Sequence, residues 1–145
     1  MTARPEMLSV SEALARVIDG FRLIESEYIS LSHAHNRVLA EDLEARLTQP
    51  PVAMSSMDGY AVRAEDVVSV PTRLIQVGIS KAGGGFDGMI RPGECARIFT
   101  GAPIPNGANA VVIQEMTARD EDQITIKQSV TEGDDIRIAG LDFCS

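Results

Sequence analysis

Residues 91–107 read RPGECARIFTGAPIPNG, a succession of turn, strand and loop that decides the fold class of most of the chain. The proline and glycine at its start stand where a type II turn needs them. Residues 95–99 follow as an apolar run suited to a strand, and Asn106-Gly107 is a second turn signal. Short strands separated by glycine and proline are typical of a small barrel or a bent sheet.

Similar apolar runs lie on either side of this stretch. The sequence predicts strands at residues 60–62, 73–79, 95–99, 110–114 and 123–127. The acidic run at residues 120–122 precedes the last of them and is predicted to be a solvated hairpin tip. The sequence therefore predicts a β-rich region from about residue 55 to about residue 138.

Upstream of residue 50 the hydrophobic period changes from two to 3.6. Apolar residues recur at steps of three and four between Val10 and Ile24, which predicts a helix with one buried face. Ser9 and Glu12 have the spacing of a capping box at its start, and Gly20 weakens or ends it. A short strand at residues 28–31, a brief helix at residues 34–39 and a strand at residues 41–47 are also expected.

Pro50-Pro51 interrupts both patterns and predicts a crossing between two lobes. The predicted fold class is α+β. Residues 1–50 form a helix-containing lobe, completed by residues 139–145 and by chain downstream, and residues 51–138 form a β-rich lobe, a small barrel or bent sheet. Because the apolar stretch at residues 136–143 is followed by no closing element, we expect a fragment of a larger multidomain protein.

The composition excludes several classes of partner. With 13 Lys and Arg against 21 Asp and Glu, the formal net charge is -8, which argues against nucleic-acid binding and against attraction to an anionic membrane surface. No apolar run at the start suggests a signal peptide and none has the length of a bilayer span, so a cytoplasmic location is expected. Cys95 and Cys144 form no C-x-x-C pair and suggest neither a zinc nor a redox site.

Two loops carry groups suited to chemistry. In residues 55–60, Asp58 follows two serines, and its carboxylate could bind a hard cation such as magnesium; the alternative is a turn in which Asp58 caps nearby backbone amides. In residues 100–107, the Thr100 hydroxyl could hydrogen-bond an oxyanion such as molybdate or phosphate, and Gly101 allows close backbone approach. The alternative for this loop is a rigid connection between strands.

A third loop spans residues 133–142. Arg137 offers a fork of donors suited to phosphate or carboxylate, and Asp142 offers a metal-binding oxygen. The alternative is an acidic turn with one surface ion pair, which would contribute little stability.

Taken together, the motifs in these loops resemble one known family. M-D-G-Y-A at residues 57–61, P-G-E at 92–94, R-I-F-T-G-A-P-I-P at 97–105, A-V-V-I-Q-E at 110–115, I-R at 136–137 and G-L-D at 140–142 occur in this order. Their order and spacing resemble the molybdopterin molybdenumtransferases, the family that also includes the E domain of gephyrin. The resemblance extends from the first helix to Asp142.

The resemblance implies a cytosolic homodimer that converts adenylylated molybdopterin and molybdate, with Mg²⁺, into molybdenum cofactor and AMP. It implies further domains beyond Ser145, one of which is the main pterin-binding domain and forms the active-site cleft with the N-terminal region of the partner subunit. Molybdopterin adenylyltransferase is a further candidate partner. Matching positions give Asp58, Thr100 and Asp142 as catalytic residues, Asp58 and Asp142 as metal ligands, and Arg137 and Gly101 as substrate-binding residues.

The chain also departs from the family pattern. Where the family usually has F-D-N-S-A before the M-D motif, this chain has Val52, Ala53, Met54, Ser55 and Ser56, and it has Leu141 where the family usually has Glu. Loss of the polar pair at Ala53 and Met54 supports a second hypothesis, a non-catalytic divergent paralogue that acts as a dimerisation or assembly module. Retention of Asp58, Thr100, Arg137 and Asp142 favours the enzyme. An unrelated β-rich binding domain is a weaker third hypothesis.

Overall fold

The computed structural model describes residues 7–145. Contacts divide the chain into two compact units, Met1–Leu43 and Glu44–Ser145. The completion of the first lobe by residues 139–145 and by downstream chain remains a prediction, as does its predicted limit at residue 50. Within residues 7–145, no helix has the length and apolar character that a membrane span requires.

The first unit contains the predicted helix. Helix α1 spans Val10–Asp19, and Gly20 is its C-cap. The predicted capping box is present, because the Ser9 hydroxyl accepts the Glu12 N–H at 3.3 Å and the Glu12 carboxylate accepts the Ser9 N–H at 2.9 Å. No residue of α1 is buried, so the apolar face that the sequence predicts to be covered is exposed in this chain.

The other elements predicted before residue 48 are wrong. Residues 28–31 and 41–47 form no strand, and a 3₁₀ helix at Leu31–His33 followed by turns replaces the helix predicted at residues 34–39. Asn36 has a φ of 61°, a left-handed conformation that ends any right-handed helix. A short apolar run becomes a strand only where another strand pairs with it, and these runs have no such neighbour.

The second unit is built from strands. They are β1 Met54–Ser55, β2 Gly59–Val62, β3 Thr72–Ser80, β4 Glu94–Ile98, β5 Ala110–Ile113, β6 Thr117–Asp120, β7 Gln123–Ile126 and β8 Ile136–Arg137. Six of them form one sheet in the order β5-β2-β4-β3-β7-β6, while β1 and β8 form a separate pair. All pairs are antiparallel except β3 with β4. Short 3₁₀ helices at Ala64–Val67 and Gln114–Met116 follow β2 and β5.

The five strands predicted in the β-rich region are confirmed as β2, β3, β4, β5 and β7, and the α+β class with a curled β-rich unit is confirmed with them. Strands β1, β6 and β8 were not predicted. The type II turn before β4 is also confirmed, since Gly93 has a φ of 80° and the Glu94 N–H donates to the Arg91 carbonyl at 3.0 Å. The predicted acidic hairpin tip connects β6 to β7.

Two hydrophobic clusters lie on opposite faces of the sheet. The larger consists of Tyr60, Val62, Ala64, Val67, Leu74, Cys95, Ala110, Val112, Ile124 and Ile126. The smaller consists of Ala61, Ile98, Ala102 and Val111. Because strand residues alternate between faces, β2 contributes to both clusters and all its residues are buried. Burial among apolar neighbours raises the pKa of the Cys95 thiol to about 12, so this thiol stays protonated and inert.

Candidate active site

Asp58 lies in the short connection between β1 and β2. One of its carboxylate oxygens, Oδ1, accepts the Thr100 N–H and the Thr100 hydroxyl, both at 2.8 Å. These bonds join the loop before β2 to the loop after β4, and both donors come from a residue distant in sequence. The Asp58 carboxylate therefore links two loops. A cap of nearby backbone amides, the alternative considered for Asp58, would bind only amides close to it in sequence.

The hydrogen bonds also fix the ionisation of Asp58. The backbone N–H of Thr100 lowers the pKa of this carboxyl most and the Thr100 hydroxyl lowers it next; burial raises it by a smaller amount, and the positive charge of Arg97 lowers it least. Asp58, which is ionised at neutral pH as an ordinary aspartate is, therefore keeps its charge to a lower pH. Among residues 7–145 its second oxygen, Oδ2, has no hydrogen-bond partner and can take a cation or a water.

Backbone contacts place Asp58 where β2 begins and β5 ends. The Asp58 carbonyl accepts the Gln114 N–H at 3.0 Å. A Cβ at Gly59 would lie 2.0 Å from the Val112 carbonyl oxygen, so only glycine lets β2 approach β5 this closely. The glycine of the M-D-G motif is thus required by packing, and it sets where the preceding carboxylate stands.

The Thr100 loop is attached to β1 by main-chain hydrogen bonds. The Gly101 N–H donates to the Ser55 carbonyl at 2.8 Å, and the Ser55 N–H donates to the Ala102 carbonyl at 2.9 Å. Gly101 has a φ of 78°, and no atom lies within 4 Å of a Cβ built on it. The glycine is therefore needed for its backbone conformation, and the space beside it is open to a ligand.

Arg137 and Asp142 form an ion pair next to this arrangement. One terminal nitrogen of Arg137 lies 2.6 and 2.7 Å from the two carboxylate oxygens of Asp142, and both side chains are about two-fifths exposed. Register pairs Met54 of β1 with Arg137 of β8. Arg137 therefore lies beside β1, the strand that leads to Asp58. No hydrogen bond within residues 7–145 joins the Asp58–Thr100 pair directly to the Arg137–Asp142 pair.

The donor set can be compared with the needs of Mg²⁺. Residues 7–145 contain no group of three or more His, Cys, Asp or Glu side chains placed to hold a metal ion. Mg²⁺, however, usually takes one or two carboxylates, several waters and phosphate oxygens from a substrate. Asp58 fits such a role through its unpartnered Oδ2. Asp142 fits less well as it stands, because Arg137 occupies both of its oxygens.

The structure adds two residues that the sequence reasoning missed. Arg97 on β4 donates to the Gly59 carbonyl at 3.0 Å and to the Gln114 side chain at 2.7 Å. Ser55 is buried, and its hydroxyl donates to the Met57 carbonyl at 2.6 Å. A sequence signal existed for Arg97, because a cation inside an otherwise apolar strand needs a structural reason.

The departures from the family pattern leave the backbone of β1 intact. The Ala53 carbonyl accepts the Ile104 N–H at 3.0 Å, and Met54 forms bridges to both Pro103 and Arg137. The apolar replacements thus change side chains beside the candidate site without removing the main-chain pairing that positions it.

A family profile described as the MoeA N-terminal region (domain I and II) matches residues 8–145. The chain belongs to this family. Among curated members it is 36% identical over 143 residues to molybdopterin molybdenumtransferase 2 of Mycobacterium tuberculosis (strain CDC 1551 / Oshkosh), covering 96% of this chain and 35% of that protein. It is 36% identical over 138 residues to the molybdopterin molybdenumtransferase of Haemophilus influenzae, covering 94% and 34%.

The MoeA fold is shared as well. The crystal structure of the molybdopterin biosynthesis moeA protein from Pyrococcus horikoshii OT3 superposes with a TM-score of 0.77 at 34% identity, covering 97% of this chain and 38% of that one. The chain thus spans about a third of the length of these MoeA relatives.

Proposed function

We propose that this chain is the N-terminal region of a molybdenum insertase, which transfers molybdate into adenylylated molybdopterin and releases AMP. Membership of the MoeA family and the names of its relatives support a role in molybdenum cofactor biosynthesis. The observation that carries the proposal is the Asp58–Thr100 pair. Thr100 donates two hydrogen bonds to Oδ1 of the Asp58 carboxylate, which leaves Oδ2 for a cation.

Each side chain would have a distinct task. Asp58 is held ionised, and its Oδ2 would bind Mg²⁺ or a water of its shell. The Thr100 hydroxyl already donates its proton to Asp58, so it offers substrate only lone pairs while that bond lasts. Mg²⁺, when bound, would reduce repulsion between molybdate and the phosphates of the substrate.

Arg137 would bind an oxyanion. Its guanidinium carries five N–H donors, and only one of its nitrogens contacts Asp142. The remaining donors can meet a molybdate or phosphate oxygen without breaking the ion pair. Asp142 would then orient Arg137, and each of its oxygens keeps a lone pair through which it would bind Mg²⁺ or a water of its shell. The open space beside Gly101 is where substrate would approach Thr100.

The proposal extends to the assembly. A cytoplasmic homodimer would complete the cleft, with the pterin-binding domain of one subunit facing this region of its partner. The adenylylated molybdopterin would come from the molybdopterin adenylyltransferase. Neither nucleic acid nor a membrane is part of this proposal, in keeping with the net charge of -8.

A second candidate function is a non-catalytic module for dimerisation or assembly. The observation that favours it is the replacement of polar family residues by Ala53, Met54 and Leu141. Ala53 and Met54 lie next to the loops that carry Asp58 and Gly101, and their apolar side chains offer neither a carboxylate for a cation nor hydrogen bonds for a substrate there.

The two candidates are separated by complementation. The protein that contains this chain would be expressed at its full length in cells lacking their native insertase, and the activity of a molybdoenzyme would be measured. An insertase restores that activity when molybdate is supplied. Failure to restore it by a folded, well-expressed protein would favour the assembly module, and substitution of Ala53 and Met54 by Asp and Asn would then show whether those side chains are the cause.

A further inference from the structure

Arg97 occupies a position where a cation is costly. Its register partner on β2 is Tyr60, and alternation places both on the face of the sheet that carries the larger hydrophobic cluster. Arg97 is half-buried there. A charged group in such a place must have its donors satisfied, so its partners indicate why it is present.

Those partners are neutral and belong to two different elements. One terminal nitrogen of Arg97 donates to the Gly59 carbonyl at 3.0 Å, and the other donates to the Gln114 Oε1 at 2.7 Å. No carboxylate within residues 7–145 forms an ion pair with Arg97. The guanidinium carbon lies 5.3 Å from the ring centre of Tyr60 and 4.7 Å from that of Phe99, so the cation also contacts two aromatic rings.

Both residues that Arg97 binds are connected to Asp58. Gly59 directly follows Asp58, and the backbone N–H of Gln114 donates to the Asp58 carbonyl at 3.0 Å. We propose that Arg97 is a positioning residue, which anchors the Gly59 carbonyl and the Gln114 side chain and so holds the backbone that follows Asp58, with the result that the Asp58 carboxylate meets Thr100 and the substrate in one geometry. The inference rests on the proposed insertase function for its catalytic consequence. Its structural content stands on these contacts alone.

Arginine is specifically required for this arrangement. A lysine retains the charge but has a single donor group at the end of a flexible stem, and it can neither bridge two acceptors with a planar fork nor stack a planar group on aromatic rings. Arg97→Lys therefore tests geometry at constant charge. Gln114→Ala removes one of the two oxygens that accept from Arg97. Because Gln114 is exposed, this substitution tests the same pair of hydrogen bonds without disturbing the hydrophobic core.

The first test measures kinetics in the full-length protein. Arg97→Lys should lower kcat by roughly 10- to 100-fold, as is common for residues that orient a site from behind, with little change in KM for molybdate. Gln114→Ala should act in the same direction, and the double variant should lose no more than Arg97→Lys alone. The matched control is Arg73→Lys on the exposed face of β3, which should leave kcat unchanged. An unchanged kcat in Arg97→Lys, or additive losses in the double variant, would overturn the proposal.

The second test does not depend on activity. Amide hydrogen exchange in the 145-residue chain reports the Thr100 and Gln114 N–H groups, both of which donate to Asp58. Arg97→Lys should speed their exchange by about tenfold, the effect of losing one hydrogen bond, while Leu74 amide exchange stays unchanged. Unchanged exchange at both amides would overturn the proposal. If the wild-type full-length protein proves inactive, the insertase function fails, and this measurement alone decides whether Arg97 positions Asp58.

Discussion

Asp58 and Thr100 show how two residues define the electrostatics of a site. The Thr100 N–H is the largest cause of the lowered Asp58 pKa, and the hydroxyl is the second. Thr100→Val keeps the N–H and the branched shape but removes the hydroxyl. The Asp58 pKa should therefore rise in this variant while staying below its ordinary value. NMR titration of the Asp58 carboxyl carbon measures it, with Thr72→Val on β3 as a control that should cause no change.

The sign of this shift has a consequence for stability. A carboxyl whose pKa is lower in the folded state contributes stability above its unfolded pKa, and that contribution is lost as the pH falls through the folded pKa. Acid unfolding, followed below about pH 4, should therefore begin at a higher pH in Thr100→Val than in the wild type. Identical acid transitions in the two proteins would show that the hydroxyl does not stabilise the ionised form of Asp58.

Gly59 offers a test of close packing behind the site. A Cβ at this position would collide with the Val112 carbonyl, whereas nothing lies within 4 Å of a Cβ at Gly84. Gly59→Ala should destabilise the chain by roughly 1–3 kcal/mol, the usual cost of overpacking, and Gly84→Ala should change stability by less than about 0.5 kcal/mol. Urea unfolding curves compare them. Equal stabilities would mean that β2 and β5 separate easily, and that Gly59 does not fix Asp58.

Single residues were predictable where their chemistry is local. The Asp58, Thr100 and Arg137 loops stand out because polar groups follow strand and turn signals. The bond between Asp58 and Thr100 was not predictable from pattern alone, because it joins loops at the ends of different strands. Arg97 was missed for the same reason, since its acceptors come from β2 and from the 3₁₀ helix after β5.

At the level of elements, the apolar runs between residues 60 and 127 predicted five strands correctly, whereas the runs at residues 28–31 and 41–47 predicted strands that do not form. Strands β1 and β8 have two residues each, and β6 reads Thr-Ala-Arg-Asp, so neither length nor hydrophobicity identifies them. Only pairing with a neighbour makes them strands. Helix α1 was predictable because its capping box and its 3.6-residue period are both encoded within a few residues.

Helix α1 should be less protected than the sheet in this chain. It has ten residues and none is buried, so it lacks the packing on which most short helices depend. Its amides should exchange faster with solvent than those of β2 and β4. Ser9→Ala should weaken the helix by about 1 kcal/mol and accelerate that exchange further, without changing exchange in β2. Slow exchange in α1, equal to that of β2, would mean that its apolar face is covered in solution, for example in a dimer.

At the level of the whole molecule, the chain contains only part of what its relatives contain. It spans about 35% of the curated relatives, and the candidate side chains lie at its surface rather than in an enclosed cavity. We expect the isolated chain to form no molybdenum cofactor from adenylylated molybdopterin, molybdate and Mg²⁺, because it spans only about a third of the length of its relatives. The full-length protein serves as the positive control, and turnover by the isolated chain would contradict this expectation.

The most direct test of the account is substitution of the Asp58–Thr100 pair in the full-length protein. Asp58→Ala and Thr100→Ala should each lower the rate of molybdenum insertion by at least about 100-fold, as expected when a group that stabilises charge in the transition state is lost. Their melting temperatures should stay within about 3 °C of the wild type, since both residues lie in surface loops. Asp87→Ala, which removes an exposed carboxylate between β3 and β4, should retain full activity. An Asp58→Ala protein that inserts molybdenum at the wild-type rate would remove this pair from the active site.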